Sequence, residues 1–272
     1  MAPSGRVVVA AACFAALVVA CGLFPDVGGL GGGDGAVEAG GADAGSACVG
    51  NAGPAAVAVG SFCVDSTEVT NAEYAAFLAT HPDPAGQLPY CSWNTSFAPS
   101  TTPPPGSDDY PVVWVDWCDA YAYCQWAGKR LCGRLGGGAL APGGMNDPGE
   151  DEWYVACSLA GARTYPYGDA FDPTACNGPE HDAGSVLPAS SLPECVGGTA
   201  GVLDMVGNAD EWIDSCESQT DGDDGGLDDC ERRSGSWEDP SGASQTCAFH
   251  RTGSRDFSDH DVGFRCCSDL AP

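Results

Sequence analysis

The chain has 272 residues, with 10 Lys and Arg against 38 Asp and Glu, a net charge of −28, 39 Gly, 20 Pro and 16 Cys. This length and loop-rich composition favour one domain plus a tail over two domains. So acidic a surface repels nucleic acid and anionic lipid headgroups; it suits cations, basic partners or neutral glycans, and it also serves simply to keep a protein soluble.

Arg6 precedes an uninterrupted run of small and apolar residues, 7–20, long enough for a secretory h-region and too short to span a bilayer. The run ends Val18-Val19-Ala20-Cys21. That ending resembles a bacterial lipobox, with Cys21 as the lipid attachment; an ordinary signal peptide cut nearby is the alternative. Without Cys13 and Cys21 the cysteine count is even, which suits the lipobox reading. The density of cysteine places the protein outside the cytoplasm, where disulfides persist. Residues 22–47 hold ten Gly and five Ala and cannot form a core. As a flexible coil they span about 28 Å, a tether between residues 21 and 47. The expected organisation is therefore a signal over 1–20, a tether over 21–47 and a domain over 48–272, anchored by lipid to a bacterial membrane on its extracytoplasmic side.

Within the domain, residues 62–65 read as a short strand. Thr70-Asn71-Ala72-Glu73 is a capping box, and the helix after it places Tyr74, Phe77 and Leu78 on one face. A second helix opens at Asp116, aligns Trp117, Ala120, Tyr121 and Cys124, and stops at Gly128. A third runs near 151–159 with Trp153, Ala156 and Cys157 on its stripe. Beyond Gly161 the chain is punctuated by Gly, Pro, Asn and Asp, so loops and short strands are expected. The run CGRLGGGALAPGGMNDPGED after Leu131 reads as a stapled surface loop.

Six segments together resemble the formylglycine-generating enzyme family, the sulfatase-modifying factors. They are FCVDSTEVTNAEYAAFL (62–78), PVVWVDWCDAYAYCQWAGKRL (111–131), EWYVACSLAGARTYPYG (152–168), GVLDMVGNADEW (201–212), SGSW (234–237) and VGFRC (262–266). The resemblance implies an α+β, C-type-lectin-like fold with short strands, few helices, many loops and several disulfides. It implies the pairs Cys124–Cys266 and Cys157–Cys247; loop closure adds Cys176–Cys195 and Cys216–Cys230 as guesses. It also implies a calcium ion held by Asp204, the carbonyls of Gly207 and Ala209, and Glu211, chemistry that suits a hard cation seeking six to eight oxygens. A tight turn with an exposed acid pair is the alternative there. A second calcium site would begin at Asn177, with Asp182 as partner.

Active relatives carry two copper-binding redox cysteines just after the segment matching Ser234–Trp237. Here 238–246 reads EDPSGASQT, without cysteine, and Ser236 alone matches a residue beside that copper site. Hard oxygen donors hold Cu(I) poorly, so copper chemistry and catalytic residues are not expected. The acidic run from Asp221 to Gly226 lacks the spacing and the final Glu of a calcium-binding EF-hand. His81, His181, His250 and His260 show no metal-ligand pairing and read as surface polar residues. The expected function is a surface lipoprotein whose domain binds an unknown protein or glycan ligand without catalysis. The alternative is a formylglycine-generating-type oxidase, which needs two free thiolates of low pKa.

Overall fold

In the computed structural model, residues 48–218, 225–239 and 242–272 are described. Cys21, the tether and the acidic run over 221–224 lie outside the described residues. Residues Ala44–Pro272 form one compact unit.

The domain begins with a hairpin, β1 (Ala56–Val59) and β2 (Phe62–Asp65), closed at Gly60, whose φ of 59° is one that glycine adopts without penalty. Every residue of β2 is buried, since both its faces meet core. Thr70 then caps α1 (Asn71–Leu78): its hydroxyl accepts from the Glu73 N–H, and the Glu73 carboxylate accepts from the Thr70 N–H at 2.8 Å. Asp116 and Asp119 form a second capping box at the start of α2 (Trp117–Trp126), which ends at Ala127 with Gly128 left-handed behind it. Asp151 caps the short α3 (Glu152–Ser158). Tyr74, Phe77, Trp117, Tyr123 and Trp153 are each about fully buried, so all three helices face inward on aromatic residues.

Two four-stranded sheets complete the architecture. One has the order β1-β2-β8-β3, where β3 is Arg130–Leu131 and β8 is Cys266–Asp269. The other has the order β6-β5-β4-β7, from β4 (Asp210–Glu217), β5 (Asp229–Arg233), β6 (His250–Ser254) and β7 (Val262–Phe264). The β4–β7 pair is parallel and the rest are antiparallel. Among the described residues no helix is long and apolar enough to cross a membrane.

Among the described residues, seven disulfides tie the loop-rich domain together. Cys124–Cys266 and Cys157–Cys247 are formed, as are Cys176–Cys195 and the cross-strand pair Cys216–Cys230. Cys48–Cys63, Cys91–Cys118 and Cys132–Cys267 add to them. Successive residues of a strand point to opposite faces, so the adjacent Cys266 and Cys267 enter two different hydrophobic clusters. Cys266 joins the cluster of α1 and α2, and Cys267 the cluster of α3 and β1. The Gly-rich run after Leu131 is the stapled surface loop expected of it: it is tied by Cys132–Cys267, and most of its residues are exposed or half-buried. It buries Cys132 and Leu140 in the second cluster, because the bond to β8 draws its start into the core.

Candidate functional site

Leaving β5, the chain turns through Ser234 at φ 73° and the tightly packed Gly235, where an added Cβ would meet the Ser244 carbonyl at 2.5 Å. The Asp239 carboxylate accepts the Ser236 N–H at 2.6 Å and closes the turn. Ser236 itself is fully buried, and its carbonyl accepts from Gln245. From β6, Arg251 donates to both Asp239 oxygens at 2.7 and 2.9 Å and through Nε to Asp210 Oδ2 at 2.5 Å. Arg232 on β5 also reaches Asp210, at 3.2 Å. In the window after Trp237, where the resemblance leads one to expect a pair of thiols, this chain has a network of guanidinium and carboxylate. Its one nearby cysteine, Cys247, is bonded to Cys157 on α3 with S–S 2.06 Å.

Beside this network stands His260. Its Nδ1 lies 2.6 Å from Asp259 Oδ1 and its Nε2 lies 3.0 Å from Glu238 Oε2. The hydrogen bond to Asp259 is the main reason its imidazolium is held above the usual histidine range. The rings of Trp237 and Trp114 lie 5.6 and 5.9 Å from the imidazole. Trp114 adopts φ 63°, a strained conformation for a bulky residue, and is pinned there. Its N–H donates to the Asp259 carbonyl and its carbonyl accepts the Ser100 N–H, both at 2.8 Å. Trp114 also lines a groove of about 420 Å³, together with Tyr110, Val113, Val186 and the proline-rich loop 103–105. A hollow of about 510 Å³ between α1, α2 and loop 82–91 shares no lining residue with that groove.

From sequence alone His260 reads only as surface polar. The structure brings it to Glu238, 22 positions earlier, a pairing that no local spacing reveals. The stretch Asp259-His260-Asp261 was the available signal, since an imidazole between two acids is poised for proton or metal binding.

The expected calcium ligands lie elsewhere, around Arg265. The Glu211 carboxylate accepts from Arg265 Nε at 2.9 and 2.8 Å, from Arg265 Nη2 at 2.7 Å and from the Trp153 indole at 2.7 Å. Arg265 also donates to the carbonyls of Asp65, Leu203 and Asp204. Asp204, at φ 53°, accepts the Ser190 N–H at 2.6 Å, and Gly207 turns left-handed against the Asn177 carbonyl. Ala209 is fully buried. As arranged, the set does not fit a calcium ion, because Glu211 is matched on both oxygens and a guanidinium already supplies the positive charge. Nearby, Glu68 Oε2 is buried without a partner. Burial pushes Glu68 well above the usual carboxylate range and Asp204 to about 6. At the second expected site, Asn177 is buried with its amide donating to Ser185 and Asn208, whereas Asp182 is exposed after the short 3₁₀ turn Pro179–His181.

Comparisons with known proteins place the chain in a family. The family described as sulfatase-modifying factor enzyme 1-like domain matches residues 32–270. An inactive C-alpha-formylglycine-generating enzyme 2 from Bos taurus is 32% identical over 179 residues, covering 59% of this chain and 50% of that one. A formylglycine-generating enzyme from Streptomyces coelicolor is 31% identical over 144 residues, covering 41% of each. The chain thus spans about half, or less, of the length of these curated relatives. Among solved structures, CarF is 20% identical with a TM-score of 0.52, covering 82% of this chain and 97% of that one. PvdO from Pseudomonas aeruginosa is 19% identical with a TM-score of 0.52, covering 77% and 80%. At such identities these two likenesses speak for the fold alone. By its family match, the chain belongs to the sulfatase-modifying factor enzyme 1-like domain family.

Proposed function

We propose that this domain is a non-catalytic binding module built on the scaffold of its family. The observation that carries the reading is the fate of Cys247: it is the one cysteine between Trp237 and Cys247, and it is held in a disulfide with Cys157. A formylglycine-generating oxidase needs a pair of thiolates to bind copper and receive the substrate cysteine. Here Asp239, Arg251 and Asp210 fill that place with ion pairs. The similarity to an inactive relative points the same way. The groove beside Trp114 is the surface offered to a protein or glycan ligand, since a strained, pinned aromatic at a concave face suits recognition. The N-terminal reading completes the proposal: lipid on Cys21 and a Gly-rich tether would present the domain outside the cytoplasm of a bacterium.

The test is to incubate the purified, oxidised chain with copper and a sulfatase-motif peptide and to look for the aldehyde by mass spectrometry. No product above a no-enzyme control is expected, and alkylation of the unreduced domain should label none of its cysteines from Cys48 to Cys267. Turnover lost on Cys247→Ser would reinstate the oxidase. Membrane retention of a Cys21→Ser variant would dismiss the anchor.

A further inference from the structure

Glu238, His260 and Asp261 each offer one ligand atom, and these atoms all lie within 4.8 Å of one another. Asp261 stands out among them. It is only 5% exposed, its carboxylate accepts no hydrogen bond from the described residues, and its one ion pair is a loose 3.6 Å contact with Arg251. With the Arg251 guanidinium held 3.6 Å away, this carboxylate has room for a closer cation. Arg251 cannot serve it closely, because the same guanidinium is committed to Asp210 and Asp239.

We propose that Glu238, His260 and Asp261 form a site for a divalent first-row transition ion, with zinc as its simplest occupant. The imidazole is oriented for this role. Nδ1–H donates to Asp259, and Nε2, which faces Glu238 at 3.0 Å, is the nitrogen that would offer its lone pair to an ion in place of its proton; a carboxylate on the far nitrogen is the usual support of a metal-bound histidine. Donors at about 2.0–2.2 Å from a tetrahedral zinc stand about 3.3–3.6 Å apart, so the cluster closes by about an ångström. Glu238 and His260 have side chains 44% and 40% exposed, which gives them room to make that adjustment. A nitrogen donor disfavours calcium and magnesium, which take oxygen ligands. Three protein ligands leave a fourth position open beside the Trp114 and Trp237 rings. The site is independent of the thiol observation behind the non-catalytic reading, and either can stand if the other fails.

The experiment is calorimetric titration of zinc into the full chain after removal of metals, with cobalt absorption as a second readout. One equivalent should bind. His260→Gln and Asp261→Asn should each weaken binding at least about tenfold, and Asp259→Asn about tenfold through loss of its support to the imidazole. His250→Gln, whose ring pairs with Glu231 and offers the cluster no ligand atom, should leave affinity unchanged. The half-exposed His260 makes His260→Gln safe for folding, checked by an unchanged thermal midpoint without metal. Absence of saturable zinc uptake at micromolar concentrations would overturn the proposal, as would one equivalent bound unchanged in His260→Gln.

Discussion

Arg265 and Arg251 each gather several acidic groups, yet the two centres are built on opposite terms. Arg265 is fully buried between β7 and β8, and its donors are spread over Glu211 and three backbone carbonyls. Arg251 has its side chain 31% exposed and is shared among Asp210, Asp239 and Asp261, with His260 and Glu238 at the rim. The buried centre is closed to water, whereas the open one reaches solvent through Glu238 and His260. The same pairing of charges thus serves as a rivet in one place and as an adjustable surface in the other.

The sharpest way to break that comparison is to remove each arginine in turn. Arg265→Met should cost about 3–5 kcal/mol in urea unfolding, because it leaves Glu211 buried without its counter-charge. Arg251→Met should cost less, about 1–2 kcal/mol, since water can replace a partly exposed guanidinium. Equal losses would erase the distinction between the two centres.

A second test is pH. Asp204 has its folded-state pKa raised to about 6, above the value near 4 of an unfolded chain. Between those values the folded state holds more protons than the unfolded one, so the stabilisation is complete below about pH 4 and is lost as pH rises through 6. The thermal midpoint should therefore rise by a few degrees from pH 8 to pH 5. A midpoint that falls over this range would mean that Arg265 keeps Asp204 ionised. The smallest expected effect is that of calcium: added to metal-free protein, it should leave the midpoint unchanged, because Arg265 already occupies Glu211. A clear rise would show that the turn opens to admit the ion, as binding to the native state alone stabilises it.

Local chemistry was legible in the sequence where it acts over a few residues. The capping box at Thr70, the aromatic stripe of α2 and the acid at Asp151 each specify a helix without help from the rest of the chain. Two long-range cysteine pairs, Cys124–Cys266 and Cys157–Cys247, came from resemblance and not from spacing. Cys132–Cys267 and Cys91–Cys118 escaped, because a partner 135 or 27 residues away is chosen by strand register and helix docking. The His260 cluster escaped for the same reason: Glu238 meets it only after β6 and β7 have placed the two loops side by side.

The doubled cysteine on β8 has a consequence for the order in which the molecule can be made. A ribosome delivers the chain from its N-terminus, so Cys124 and Cys132 must wait for the final stretch of synthesis before either partner exists. Until then both thiols are available to the wrong sulfur, including each other. What separates the outcomes is the alternation of a single strand, which turns neighbouring side chains toward opposite cores. A chain stopped after Arg265 would keep the residues of its three helices but lack β8, the strand that joins β2 to β3, and with it both latches.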